Sequence, residues 1–316
     1  MPTGMTVVTG AAGFAGGHLL DRLAGRTRLT AWHRPGHLPA HHPPDVTWQA
    51  VDLVDKAGVR RAIESAAPSR IYHLAGNSRV DTAWQDVVPH LQANVLGTHY
   101  LLEAVRQVGA PCRIVIITSA TIYQMSDQAI SEDSLLMPSS PYGLSKLAED
   151  ELARRAVLED GMDVVLARPF NHAGPRQNPG FVVSSLARQF ALIEAGRAAP
   201  DIRVGNLDAR RDFTDVRDVC EAYEHLMETA PAGRPFNICS GWTTRVGELV
   251  DAFVSLTRAN VHVTSESTRF RPSDVPVILG DSARIRTELG WVARIPIERT
   301  IEDTLDWWRT EVGAGR

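Results

Sequence analysis

From its first residues the chain alternates short apolar runs with stretches of helical periodicity, a rhythm that few folds accept. Met5 to Thr9, Leu29 to Trp32, Val46 to Gln49, Arg70 to Leu74, Arg113 to Thr118 and Val164 to Ala167 predict strands, and the segments between them have room for crossover helices. Short, continuous apolar strands are buried on both faces, so the pattern predicts an α/β fold with a doubly wound parallel sheet covered by helices on either side. Gly109, Pro111, Gly161 and Pro169 mark element ends. The His- and Pro-rich segment Pro35 to Pro44 predicts a surface loop.

After Pro169 the rhythm changes. A Gly-, Pro- and Asn-rich loop, Asn171 to Gly180, precedes a helical pattern from Phe181 to Ala195. Asp215 to Glu228 and Phe236 to Cys239 return to the first layer, while Thr244 to Thr257 and Ile297 to Trp308 predict later helices. Two interleaved lobes follow: residues 1–170 with 213–241, and a smaller α/β lobe of 171–212 with 242–316. Trp307 and Trp308 share an apolar helical spacing with Ile301 and Leu305, which predicts core or interface packing. With 316 residues, 44% of them hydrophobic, the chain has enough apolar material for a full core. Cys112, Cys220 and Cys239 are dispersed, lack metal-ligand spacing and read as buried thiols of a reducing compartment. No apolar run approaches the ~18 residues of a membrane span, and a net charge of -4 gives no reason to expect nucleic acid. The expectation is a soluble cytoplasmic protein.

Gly10, Gly13 and Gly16 follow the first strand and open a helix. Their missing side chains let a pyrophosphate approach the backbone, and the helix N-terminus offers unpaired N–H groups and a positive dipole end. This context predicts a Rossmann-type dinucleotide site. An NAD-preferring fold places an acid at the end of the second strand, but here that end reads Trp32-His33-Arg34. Arg34 suits a 2'-phosphate, which predicts NADP(H) with NAD(H) as the alternative; a solvated loop arginine is the competing reading. Asp52, beyond the third strand, is placed either to accept the adenine amino hydrogens or to cap the helix Asp55 to Ala66.

Tyr142 and Lys146 lie four residues apart in Ser139-Ser140-Pro141-Tyr142-Gly143-Leu144-Ser145-Lys146, on one face of a predicted helix. An ammonium beside a phenol favours loss of its proton, so Lys146 is expected to lower the pKa of Tyr142. Reduction of a ketone needs hydride on carbon and a proton on oxygen. A hydroxyl such as Ser119 polarises the carbonyl while the phenol donates.

The glycine turn, His73-Leu74-Ala75-Gly76, Asn94-Val95-Leu96-Gly97-Thr98, Ser119-Ala120-Thr121-Ile122-Tyr123 and the Tyr142/Lys146 pair resemble the extended short-chain dehydrogenase/reductase family of nucleotide-sugar enzymes. Arg168 to Gln177, Gly205-Asn206-Leu207 and Arg211 to Asp218 resemble a subgroup that reduces the 4-keto group of GDP-4-keto-6-deoxy-D-mannose. The resemblance implies that Ser119, Tyr142 and Lys146 are catalytic, with Asn94 supporting them. It implies a cofactor set of Gly10, Gly13, Phe14, Ala15, Arg34, Asp52, Leu53, Leu74, Ala75 and Asn94, joined by Tyr142 and Lys146. For the GDP-linked 4-keto-6-deoxyhexose it implies Arg211 and Arg271 at the diphosphate or ribose, Asn171 near the sugar phosphates and Asp274 at a ribose hydroxyl. Thr121 and the helix start at Phe181 and Val182 belong to the same substrate side, Ser78 and Arg79 are candidates for the hexose, and Arg176 is a further candidate cation for the diphosphate. A homodimer through Val87 to Val108 and Tyr142 to Leu158 is also implied.

Related 4,6-dehydratases carry an acid two residues after the catalytic hydroxyl. Here that residue is Thr121, too weak an acid or base for the elimination. Glu132 and Asp133 lie nearby in sequence but are expected to face solvent. A 4-epimerase with tightly bound NAD would use the same Ser119, Tyr142 and Lys146, so it remains the alternative. A dinucleotide sensor without catalysis has no need of the proton donor.

Overall fold

The computed structural model describes residues 4–37, 43, 45–78, 83–266 and 275–315; Arg79, Arg271 and Asp274 lie outside them. Strands β1 (Met5–Thr9), β2 (Arg28–His33), β3 (Val46–Ala50), β4 (Pro68–His73), β5 (Arg113–Ile117), β6 (Asp163–Pro169) and, later in the chain, Pro235–Ile238 form a seven-stranded sheet. Every pairing in it is parallel. The order runs β3-β2-β1-β4-β5-β6 and ends on Pro235–Ile238. The direction in which successive strands are added reverses between β1 and β4, so the loops after those two strands diverge and open a crevice at their C-terminal ends.

Alternation along the strands divides the interior. Val8, Tyr72, Val115 and Val165 enter one core with Leu19, Leu20 and Leu23 of α1 (Phe14–Leu23). Val7, Ile71, Ile114 and Val164 enter the opposite core with α2 (Lys56–Ala66) and α3 (Gly97–Val108). Period-two geometry thus buries both faces of each strand. Helix α4 (Pro141–Asp160) covers the second core through Ala153 and Ala156; Ser140 caps it by accepting from Gly143 N at 3.0 Å, and left-handed Gly161 ends it.

The remaining elements are β7 (Asn171–Ala173), α5 (Val182–Glu194), β8 (Asp201–Val204), β9 (Arg210–Asp215), α6 (Val216–Thr229), β10 (Pro235–Ile238), β11 (Thr243–Arg245), α7 (Val246–Leu256), β12 (His262–Ser265), β13 (Val277–Ile278), α8 (Ala283–Leu289) and α9 (Ile297–Gly313). A separate core joins α5, α7 and α9 under β9; Trp308 is buried there and donates from Nε1 to Ser184 Oγ at 2.9 Å. Three sequence expectations change. Ile285 of α8 and Trp291 pack into the first core with α6, although their segment is read from sequence as part of the smaller lobe. The long helix read from Val87 is broken by a π turn at Leu91–Leu96. Cys112 is only half-buried, unlike Cys220 and Cys239.

Candidate active site

Ser119 stands just beyond β5, where its backbone is extended and its side chain caps the 3-10 turn Ala120–Ile122. Its Oγ accepts from Thr121 N at 3.2 Å and from Thr121 Oγ1 at 2.9 Å. That leaves the Ser119 hydrogen for Tyr142, whose phenol it hydrogen-bonds. Both side chains are buried, as is Lys146. Lys146 Nζ donates to Ile117 O at 2.8 Å and to Glu149 Oε2 one turn on. The sequence-predicted trio is therefore together at the C-terminal end of β5.

The electrostatics differ from expectation. Burial holds the Tyr142 pKa above the ordinary tyrosine value; Lys146 and the Ser119 hydrogen bond pull it down, and Glu149 adds to the rise. Desolvation penalises the phenolate more than the nearby ammonium rewards it. Burial also works against the Lys146 charge, but Glu149 and Tyr142 outweigh it and hold the lysine above its usual range.

Asn94 lies fully buried in the π turn. Its Oδ1 accepts from Asn77 N at 2.7 Å, and its Nδ2 donates to Ser145 Oγ at 2.9 Å, which in turn donates to Tyr142 O at 2.8 Å. Asn94 therefore ties the loop after β4 to the first turn of α4. A π turn inserts one extra residue into a helix and re-aims the side chains it carries. The His90 ring, just before that turn, meets the Tyr142 ring edge-on with centroids 6.4 Å apart.

The glycine turn fits a dinucleotide phosphate. Gly10 has φ +66°, and a Cβ there would sit 2.7 Å from Ala75 N; a Cβ on Gly16 would lie 2.3 Å from Gly10 O. Helix α1 has no side-chain cap and no acid in its first turn, so the N–H groups around Phe14 and Ala15 are left for an anion. Leu74 and Ala75 follow β4 alongside, Ala75 N donating to Thr9 Oγ1 at 3.1 Å. Arg34 is exposed just beyond β2. Asp52 is exposed and accepts from Val54 N at 3.1 Å, whereas Asp55 is the residue that caps α2, at 3.0 Å from Gly58 N. The capping alternative for Asp52 is thereby removed. Half-buried Leu53 packs on Gly97.

Arg176 stands elsewhere than its assignment to the sugar-nucleotide diphosphate requires. It has a left-handed φ of +73° and bridges to Asp21 on α1 at 2.7 Å. With Gly13, Phe14, Asp21 and Trp48 it lines a cavity of about 200 Å³ at the glycine turn. The loop is clamped there by His18 Nε2, which donates to Pro175 O at 2.9 Å, and by His172 stacked on Phe14 at 5.7 Å. Burial, then Arg176, lowers the His18 pKa to about 4, so its ring is neutral.

On the other side, Asn171 is exposed and donates from Nδ2 to Asp212 O at 3.3 Å. Half-buried Arg211 donates to the carbonyls of Arg210 at 2.9 Å and Pro276 at 3.3 Å. Ser78 is exposed after β4, and Val182 opens α5, whose N-cap Phe181 makes no side-chain cap bond. Glu132 corrects an expectation: it is buried, accepts from Asn237 N at 2.8 Å and pairs with Arg284 at 3.6 Å. Only Asp133 faces solvent, bridged to Arg284 at 2.7 Å. Sequence reading passed over Glu149, although lysine and glutamate three positions apart share a helix face.

Residues 7–304 match the family described as GDP-mannose 4,6 dehydratase. Over 309 residues, 96% of this chain and 97% of the other, the sequence is 34% identical to GDP-6-deoxy-D-mannose reductase of Pseudomonas aeruginosa. A solved structure of RMD from Pseudomonas aeruginosa complexed with NADPH superposes with a TM-score of 0.85 at 32% identity, covering 98% of this chain and 100% of that one. UDP-glucose 4-epimerase 4 of Oryza sativa subsp. japonica is 27% identical over 331 residues, 95% of this chain and 89% of the epimerase.

Proposed function

The chain belongs to the GDP-mannose 4,6 dehydratase family, and from that premise we propose that it is an NAD(P)H-dependent reductase of a GDP-linked 4-keto-6-deoxyhexose, GDP-4-keto-6-deoxy-D-mannose, giving GDP-D-rhamnose or its 4-epimer. The observation that carries the reading is the buried Ser119, Tyr142 and Lys146 set at the C-terminal end of the interior strand β5, on the same side of the sheet as the glycine cradle after β1. When bound, the reduced nicotinamide supplies the hydride. Ser119 polarises the ketone, and Tyr142, protonated because burial holds its pKa high, gives its proton to the oxygen. Lys146 and Asn94 fix the first turn of α4 on which Tyr142 rides.

Gly10, Gly13, Phe14 and Ala15 hold the cofactor phosphates, with Asp52, Leu53, Leu74 and Ala75 along the crevice. Arg34 and Arg176 supply cations at that end, which favours NADPH over NADH. Asn171, Arg211, Thr121, Val182 and Ser78, with Arg271 and Asp274, take the sugar nucleotide. The partition into a cofactor lobe and a sugar lobe follows that division of labour. Dehydration is disfavoured because Thr121 is a hydroxyl already donating to Ser119, and Glu132 is engaged by Asn237 and Arg284.

Exposed Val88, Leu91 and Leu96 with Leu144 and Leu158 of α4 make these helices the proposed homodimer contact. Among the described residues no helix is long and apolar enough to cross a membrane, which is compatible with a cytoplasmic site of action. Similarity to the epimerase makes 4-epimerisation the second reading. Incubation with NADPH and a panel of 4-keto-6-deoxy sugar nucleotides, beside the matching 4-hydroxy sugar nucleotides with NAD, separates the two. Net NADPH oxidation with the GDP-linked substrate supports the proposal; isomerised product without cofactor consumption replaces it.

A further inference from the structure

Glu149 has no part in delivering hydride or proton, yet its whole side chain lies in the interior one turn from Lys146. Its Oε2 accepts from the Lys146 ammonium and its Oε1 from Thr98 Oγ1 at 3.3 Å. Because the Thr98 hydrogen is committed to Glu149, Thr98 must accept from His73 Nε2, 2.9 Å away. Burial lowers the His73 pKa to about 3, so the ring is neutral and its Nδ1 accepts from Thr9 Oγ1 at 2.8 Å. Thr9 Oγ1 in turn accepts from Ala75 N at 3.1 Å, beside Gly10. Every hydrogen in this line points toward Glu149. Burial raises the Glu149 pKa to about 7, with Lys146 and Thr98 pulling it down, so through the alkaline range it stands as a carboxylate accepting on both oxygens, the species that a buried ammonium requires.

An unpaired ammonium near a phenol stabilises the phenolate; an ammonium already matched by a carboxylate does so far less. Other groups around Tyr142 leave that balance intact. Asp150, next along α4, is claimed by Arg168 at 2.7 Å and Arg154 at 2.9 Å. His73 on β4 is neutral, and burial holds the Tyr223 phenol on α6 well above its usual range. The Ser119 hydroxyl from β5 is uncharged, and His90 meets Tyr142 by its ring edge.

We propose that Glu149 is a positioning residue that neutralises Lys146 from within the protein and so keeps the Tyr142 phenol protonated, reserving the site for proton donation. The inference rests on the reductase reading. In that reaction the ketone carbon gains a hydride with its electron pair, the oxygen takes the Tyr142 proton, the nicotinamide is oxidised, and the phenolate recovers a proton from solvent. Oxidation of an alcohol needs the phenolate first. Glu149 therefore leaves the reaction equilibrium untouched and extends upward in pH the range over which the donor form exists.

Glu149→Gln keeps an acceptor for Thr98 and removes the charge. The alkaline limb of kcat/KM for NADPH-dependent reduction should move to lower pH by about one unit. Tyrosinate ultraviolet absorbance, taken as the difference between Glu149→Gln and Glu149→Gln with Tyr142→Phe, should appear at correspondingly lower pH than in the matching wild-type pair. Glu149→Met, uncharged and similar in volume, should reproduce the shift, while Glu149→Asp should hold the wild-type position. An unmoved limb and an unmoved tyrosinate titration in either folded neutral variant overturn the proposal. Absence of reduced product from the wild-type enzyme counts against the reductase reading alone, because the absorbance titration needs no substrate.

Discussion

Lys146 and Arg211 are the cations assigned to the chemistry and to the substrate, and they are held in opposite ways. Lys146 is buried, fixed between Ile117 O and Glu149, and backed by a line of hydrogen bonds that ends at the loop after β4. Arg211 is half-buried on β9, with carbonyls of Arg210 and Pro276 among its partners, and its neighbour Asn171 is exposed. The contrast teaches where each end is organised. At the end proposed for catalysis, contacts within the protein itself hold the geometry, as reactions that depend on orientation require. At the end proposed for the sugar nucleotide, more exposed side chains stand on a frame pinned from within: buried Asp212 accepts from Ser240 N at 2.9 Å, Ser240 Oγ at 2.7 Å and Gly241 N at 3.0 Å.

If that contrast holds, damage at the catalytic end costs turnover and damage at the substrate end costs affinity. Tyr142→Phe should lower kcat by about 10²–10⁴-fold with the NADPH dissociation constant unchanged; steady-state kinetics beside a cofactor titration check both halves, and undiminished turnover removes Tyr142 from its role.

The buried line also makes a stability prediction. The His73 pKa falls from 6.5 in the unfolded chain to about 3 in the fold. For a lowered pKa, the stabilisation is present above the unfolded value and is lost as pH falls toward the folded one. Between pH 7.5 and pH 5 the loss from this residue is about 2 kcal/mol, and His18, at about 4, adds in the same direction. Urea unfolding across that interval should show the decline, with a shallower slope in His73→Gln; a flat profile would mean that the imidazole does not remain neutral inside the protein.

Arg211→Ala should raise KM for the sugar nucleotide about tenfold while kcat stays within about twofold, the signature of binding lost equally from ground and transition states. A fall in kcat with KM unchanged would erase the distinction between the two ends. The smallest effect belongs to exposed Arg34: its replacement by Ala should reduce the preference for NADPH over NADH by roughly threefold, less at high salt. No change in that ratio would place the 2'-phosphate elsewhere.

Much of the catalytic end was legible because its signals are local. The strand before Gly10, the glycine spacing and the i, i+4 pair of Tyr142 and Lys146 each specify geometry within a single turn. Glu149 shares that locality, but its burial and its contact with Thr98 depend on packing against other elements, which a local pattern does not carry. Glu132, expected to face solvent in the loop before Pro138, is buried because its partners Asn237 and Arg284 come from more than a hundred residues away. Arg176 was legible as a functional cation but not in its location, because only the tertiary fold brings the loop after β7 against Asp21 and His18. The π turn at Leu91–Leu96 leaves the apolar spacing of a helix almost intact, so periodicity alone reads straight through it.

Net reduction is the claim on which the remainder depends, and following the hydride tests it most directly. NADPH deuterated at the transferring position is mixed with the enzyme and GDP-4-keto-6-deoxy-D-mannose, and the isolated product is read by mass spectrometry and NMR. The account predicts one deuterium at carbon 4 for each NADPH consumed. Recovery of the 4-keto sugar nucleotide without deuterium and with NADPH left intact, from enzyme that epimerises the matching GDP-6-deoxyhexose in a parallel incubation with NAD, would contradict it.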